Sequence, residues 1–173
     1  MRADSWILHE LPELLVSDWY NYNIYSEFDL QVTAYFWLRK HFEKCSSIKW
    51  IVRAQPVIKL KTGNIVKPDI AIYRNTVLYD IIELKCQLGR LNFRAFAKDF
   101  KNLRKLKDEM ELRHAYILVL YDYGRNLELP SSYKENWMKN YLTFIGANVR
   151  LDTNKRQRYG YSNFRRNWDI YWG

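Results

Sequence analysis

The stretch that decides the fold runs from residue 65 to residue 86: Ile65-Val66-Lys67-Pro68-Asp69-Ile70-Ala71-Ile72-Tyr73, then Arg74-Asn75-Thr76, then Val77-Leu78-Tyr79-Asp80-Ile81-Ile82-Glu83-Leu84-Lys85-Cys86. Two runs of β-branched and apolar residues flank a three-residue turn, which reads as a pair of antiparallel strands. The second run is the most apolar in the chain and predicts a central strand. Pro68 has no N–H to give to a ladder, so it predicts an edge or a local irregularity in the first. Charges inside such runs are costly unless paired or bound. Side chains two apart on a strand share a face. Glu83 and Lys85 therefore point the same way, with Gln87 after them, and Cys86 points to the opposite side. The tight turn brings Asp69, read as part of the first strand, close to Glu83.

Two carboxylates brought together repel unless a cation lies between them. Hard oxygen donors of this kind suit Mg²⁺ or Mn²⁺, which keep waters and phosphate oxygens in their coordination sphere. A lysine beside such an ion can orient or deprotonate a water, or stabilise charge building on phosphorus. As letters alone, the same residues fit an acid after a turn-forming proline and a solvated strand face. Their placement inside an apolar run favours the site.

Working outward, residues 48–61 read as a strand before the hairpin, closed by the turn Lys61-Thr62-Gly63-Asn64. Ser26 is an N-cap candidate, with Asp29 three residues on. It opens a helix that ends near 45–47, with Phe28, Val32, Tyr35, Phe36 and Phe42 as its core face. A shorter helix over about 4–16 buries Trp6, Ile7, Leu11, Leu14 and Leu15, with Pro12 expected to bend or shorten it. An aromatic loop follows at 17–25. Beyond the hairpin, 93–112 predicts a long helix and 114–122 a buried strand. A further helix is expected over 133–145, followed by a basic-aromatic extension over about 146–173. This extension reads equally as a stacking surface or as an arm packed on the body. The expectation is an α/β class: one domain with its core at about 26–122, in the order α-β-β-β-α-β.

Pro-Asp followed on the next strand by Glu-x-Lys, within that element order, resembles the PD-(D/E)XK nuclease superfamily, whose fold is restriction-endonuclease-like. The resemblance spans about 100 residues, the size of a small domain. It implies a metal-dependent nuclease in which Asp69 and Glu83 bind Mg²⁺ or Mn²⁺. It also implies the backbone carbonyl of Leu84 as a further ligand, Lys85 as the catalytic lysine, and a glutamate on the preceding helix as an additional metal-site acid, for which Glu27 is the best match and Glu10 and Glu13 are weaker ones. DNA is the expected substrate, with RNA left open, and endonuclease rather than exonuclease action. Many members act as dimers, so a homodimer is expected too.

The chain has 173 residues with 28 Lys and Arg against 19 Asp and Glu, a net charge of +9 that points to a polyanionic partner. Gln87 could hydrogen-bond a phosphate or a water. Lys98, Lys101 and Lys105, at near-helical spacing, could line a nucleic-acid groove, although each alone is an ordinary solvated helix residue. Cys45 and Cys86 are too few for a disulfide scaffold or a cysteine-rich zinc site. His9, His41 and His114 lack metal-ligand spacing and read as structural. No apolar run is long enough to span a bilayer and no signal peptide is visible. The expected location is therefore intracellular and cytoplasmic, in a prokaryotic or virus-infected cell. The rival from another class is a non-catalytic nucleic-acid-binding module, or a subunit of a larger nucleic-acid-processing assembly. It accounts for the charge but not for the convergence of Asp69, Glu83 and Lys85.

Overall fold

The hairpin is the spine of the computed structural model, which describes residues 3–21, 23–45, 48–88, 96–110, 112–122, 142–148 and 168–172. Its arms are β4 (Ile70–Arg74) and β5 (Val77–Leu88). Asn75 and Thr76, at φ 51° and 76°, turn the chain between them. Two successive positive φ angles match the twist of the flanking strands. A bulge between Ile72 and Tyr73 shifts the register, after which Ile70 faces Ile82. One step further, Asp69 comes opposite Glu83.

The other strands are β1 (Trp50–Ala54), the short β2 (Ile58–Lys59) and β3 (Ile65–Val66), β6 (His114–Asp122), β7 (Leu142–Asn148) and β8 (Trp168–Trp172). The main sheet has the order β1-β4-β5-β6-β7-β8, and β2 pairs only with β3. β1, β4 and β5 are antiparallel to one another, β5, β6 and β7 run parallel, and β8 returns antiparallel. Helices α1 (Ala3–Tyr20) and α2 (Glu27–Phe42) precede the sheet, and α3 (Ala97–Glu109) links β5 to β6. A parallel neighbour cannot be reached by a tight turn, so this link is a crossover through a helix. The result is an α/β fold with a mixed sheet between helical layers.

The even-numbered face of β5 carries Ile82 and Leu84. It packs with Ile70, Ile72, Tyr116, Leu118 and Leu120 against α1 and α2. On the opposite face Ile81, Ile117, Val119 and Phe144 meet Phe100, Leu103 and Leu106 of α3. Both faces of the centre are covered, which is why β5 and β6 read as near-continuous apolar runs.

Several expectations change. α1 continues through Pro12 to Tyr20, because the stripe Ile7, Leu11, Leu15 and Trp19 is buried along its whole length. One lost backbone bond at proline is outweighed by that burial. Helix therefore replaces the first part of the aromatic loop, where Asp18 accepts a 2.6 Å hydrogen bond from the Trp37 indole. Ser26 caps α2, as its side chain accepts from the Asp29 N–H. The buried face of α2, however, is Leu30, Gln31, Ala34, Leu38 and Phe42. Phe28, Val32 and Phe36 are 68%, 51% and 54% exposed. Both stripes have helical period, so periodicity alone could not choose between them.

The first expected strand divides into β1 and β2 around Gln55, whose φ is 45°. The second divides at Pro68, so Asp69 stands just ahead of β4 rather than within a strand. The helix expected over 133–145 is contradicted at 142–145, which belong to β7, and the rest of it lies outside the described residues. Of the C-terminal extension, 146–148 continue β7 and 168–172 form β8 on the main sheet. Residues 149–167 lie outside the described set. Among the described residues, no helix is long and apolar enough to cross a membrane.

Candidate active site

Glu83 is 3% exposed, deep in the sheet on the side facing α3. Its Oε2 accepts the Asp69 N–H at 3.3 Å. Asp69 replies through Oδ2, which accepts the Leu84 N–H at 2.8 Å. This reciprocal clasp follows from register: where β4 begins, the backbone of each strand meets the carboxylate of the other. Burial pushes the Glu83 carboxyl well above its ordinary range, and the negative charges of Asp69 and Asp99 push further in the same direction.

Lys85, two residues along the same face, is bound from both sides. Its Nζ lies 3.2 Å from Oε1 of Glu27 and 3.2 Å from Oδ2 of Asp99. Burial works against its charge, but the carboxylates of Asp99, Glu27 and Asp69 outweigh burial and hold Lys85 above its ordinary value. Its side chain is 14% exposed and that of Asp99 12% exposed. Asp99 itself is raised by burial, against the downward pull of the Lys85 ammonium. Three carboxyls, on α2, before β4 and on α3, thus act on one ammonium.

The structure brings Asp69, Glu83, Lys85 and Glu27 together. Glu27 reaches the site because Ser26 fixes the start of α2, which makes Glu27 its first residue. Leu84 is buried, and its N–H is committed to Asp69. Gln87 continues along β5 and is half-buried. Lys98 and Lys101 lie on the solvent face of α3 and Lys105 at its half-buried flank, away from Phe100, Leu103 and Leu106. Cys86 packs with the opposite core, where burial pushes its thiol up to about 11. His41 stacks on Trp6 with ring centroids 4.1 Å apart, and His114 shares a 2.7 Å hydrogen bond with Thr143.

Three residues of this neighbourhood escaped the sequence. Asp99 looks, on the page of letters, like an acid complementing a helix N-terminus among lysines. Gln31, one turn beyond Glu27, donates a 3.0 Å hydrogen bond to the Asp69 carbonyl. Gln55 donates to that carbonyl through its backbone N–H at 2.8 Å and to the Gln31 side chain at 3.1 Å. The spacing of Glu27 and Gln31, four apart on one helix face, was the only signal available for Gln31.

Among the described residues, no three Asp, Glu, His or Cys side chains converge into a ready cage for a metal ion. The donor set is instead a pair of adjoining carboxyls, one of them almost fully buried, in a cluster with excess negative charge. Magnesium-like ions are commonly held by one or two carboxylates with waters completing the sphere, and the Asp69–Glu83 pair fits that mode. Comparison with protein-family models, with curated proteins and with solved structures finds no match in any of the three.

Proposed function

We propose that the chain is a metal-dependent nuclease hydrolysing phosphodiester bonds, most simply a DNA endonuclease of restriction-endonuclease-like type. The observation that carries this reading is the buried Glu83 carboxyl beside Asp69, with the Lys85 ammonium on the same strand face. Such a cluster is electrostatically expensive without a cation, and a hard divalent cation bound by a scissile phosphate has the opposite charge. Asp69 and Glu83 would hold Mg²⁺ or Mn²⁺. Such an ion, when bound, supplies Lewis-acid polarisation of the phosphoryl group and a lowered pKa for an attacking water.

The remaining chemistry falls to the side chains. Lys85 keeps its proton at neutral pH, so it donates hydrogen bonds to a phosphoryl oxygen or to the attacking water and takes no proton from that water. Glu27 and Asp99 aim its ammonium. Gln31 and Gln55 fix the Asp69 backbone, which sets the direction of the Asp69 carboxylate. Lys98, Lys101, Lys105 and Gln87 are proposed as contacts to the nucleic-acid backbone. Cleavage assays on single-stranded, duplex and branched DNA and on RNA, each with Mg²⁺, Mn²⁺ or EDTA, test the reading. Metal-dependent cleavage that EDTA abolishes supports it, and inertness toward every substrate under both metals refutes it.

The non-catalytic module has one observation in its favour. Lys85 is already paired twice, so the cluster could be a closed structural network. Binding without cleavage in the same assays would select that reading.

A further inference from the structure

We infer that the outer face of the β2–β3 ribbon, with the adjoining edge of α3, is a track for the phosphate backbone of the nucleic acid that enters the site. The choice of ligand rests on the nuclease reading. The ribbon pairs Ile58 with Val66 and Lys59 with Ile65, and strand alternation gives it two unlike faces. Ile58, Leu60 and Val66 are buried and join Phe100, Leu103 and Leu106 of α3 in one core cluster. Lys59, Lys61 and Lys67 are exposed on the other face, beside Val57 and Ile65.

The ribbon lies on the Glu83 and Lys85 side of the sheet, since its core cluster also contains Ile81, which shares their strand face. It is fastened at both ends. Its root is Lys67-Pro68-Asp69, so Lys67 stands next but one to the residue that clasps Glu83. At its tip the Leu60 N–H donates to the Asn64 carbonyl at 2.8 Å. The Glu109 carboxylate, at the end of α3, accepts the Thr62 N–H and the Thr62 hydroxyl, each at 2.8 Å. α3 spans the same interval. Asp99 holds Lys85 at the site and Glu109 holds the ribbon tip, about 15 Å apart along the helix axis at 1.5 Å per residue. Lys98 and Lys105 belong to the same helix edge as Glu109, within about 40° of one another at 3.6 residues per turn. Ribbon and helix edge therefore make one strip that starts at the catalytic carboxylates.

The strip lacks the anions that would neutralise it. Among the described residues, Lys59, Lys61 and Lys67 make no ion pair. Glu109 is already committed: its hydrogen bonds from Thr62, with the Lys105 charge behind them, hold its carboxyl below the ordinary range. Unpaired ammoniums on a pinned surface supply sequence-independent affinity for phosphates. No aromatic residue occurs between Val57 and Lys67, so the ribbon offers bases no stacking platform and meets the backbone alone. Position identifies the occupant. A strand held by its scissile phosphate at Asp69 and Glu83 extends over the lysines that begin two residues away.

The test is equilibrium binding of a short fluorescein-labelled DNA duplex in EDTA across a salt series. Wild type, K59Q/K61Q/K67Q and the control K40Q/K44Q/K49Q are compared. The control removes the same charge from exposed lysines at and beyond the end of α2 opposite Glu27. Circular dichroism verifies folding, and cleavage of the same duplex with Mg²⁺ is followed in parallel. Loss of three phosphate contacts lowers the slope of log affinity against log salt by about 2.7 for B-DNA. K59Q/K61Q/K67Q is expected to show that change and to bind at least roughly tenfold more weakly at about 0.1 M salt, while the control keeps the wild-type slope. An unchanged slope in folded K59Q/K61Q/K67Q, or an equal loss in both variants, overturns the track whether or not the chain cleaves. Binding that depends on these lysines, in a chain that cleaves nothing, keeps the track and counts against the nuclease reading alone. Tighter binding of a polyglutamate peptide than of the duplex assigns the strip to an acidic protein partner and overturns the proposal.

Discussion

Glu83 carries the largest electrostatic tension among the site residues, and its consequence for stability has a definite sign. Burial first, then Asp69 and Asp99, raise its folded-state pKa above the ordinary 4.5. The folded chain therefore binds more protons than the unfolded chain between those two values, and stability falls as pH rises through that window. Glu83→Gln removes this titration while keeping an acceptor for the Asp69 N–H. In metal-free buffer the variant is expected to melt above wild type at about pH 8, with the two curves converging near about pH 4; differential scanning calorimetry reads this directly. Equal midpoints at both pH values would show that Glu83 is not strained. Lys85 has the opposite balance, since surrounding carboxylates outweigh its burial. Its role is that of a permanent cation. At this scale Asp69, Glu83 and Lys85 were legible because charges in an apolar run demand partners. Asp99 was not, because only the packing of α3 brings it there.

At the scale of elements, α2 is the part whose sequence misled most instructively. Its exposed stripe of Phe28, Val32 and Phe36 is as apolar as its buried one, and only the position of α1 and the sheet decides which is core. Leu38, fully buried, is expected to cost about 2–5 kcal/mol when replaced by Ala. The double variant F28S/F36S is expected to stay within about 0.5 kcal/mol of wild type for each surface change. Urea denaturation distinguishes the two, and a large loss for F28S/F36S would mean that this stripe is covered. α3 makes a different prediction. Asp99→Asn leaves the helix in place but removes one of the two anchors on Lys85. Misplacement of a catalytic group by about 1 Å can cost about a hundredfold, so a fall in kcat of roughly ten- to a hundredfold is expected, with KM nearly unchanged. A rate equal to wild type would make Asp99 a purely structural acid. β7 was misread as part of a helix for a plain reason: a short apolar run such as Leu142–Ile145 fits either period, and its partner β6 is remote in sequence.

For the whole molecule, the succession from α2 through the β4–β5 hairpin to α3 and β6 could be read from the chain, but not the division of the first two expected strands into β1–β4. Each of those elements has a local cause: a cap at Ser26, a turn at Asn75 and Thr76, an amphipathic crossover helix, and strands buried on both faces. What could not be read are the long-range choices. α1 runs past Pro12 because its buried stripe continues, and 168–172 adds an outer strand beyond β7. The site lies where these scales meet. α2 delivers Glu27, the start of β4 delivers Asp69, β5 delivers Glu83 and Lys85, and α3 delivers Asp99. We propose that this convergence hydrolyses phosphodiester bonds. Its most direct test compares cleavage by wild type and Lys85→Ala under saturating Mg²⁺ or Mn²⁺, with Mn²⁺ binding followed by electron paramagnetic resonance. Lys85→Ala is expected to bind Mn²⁺ still but to cleave at least about a hundredfold more slowly, the usual cost of losing one transition-state donor. Cleavage undiminished in Lys85→Ala, or none by wild type on any substrate, would contradict it.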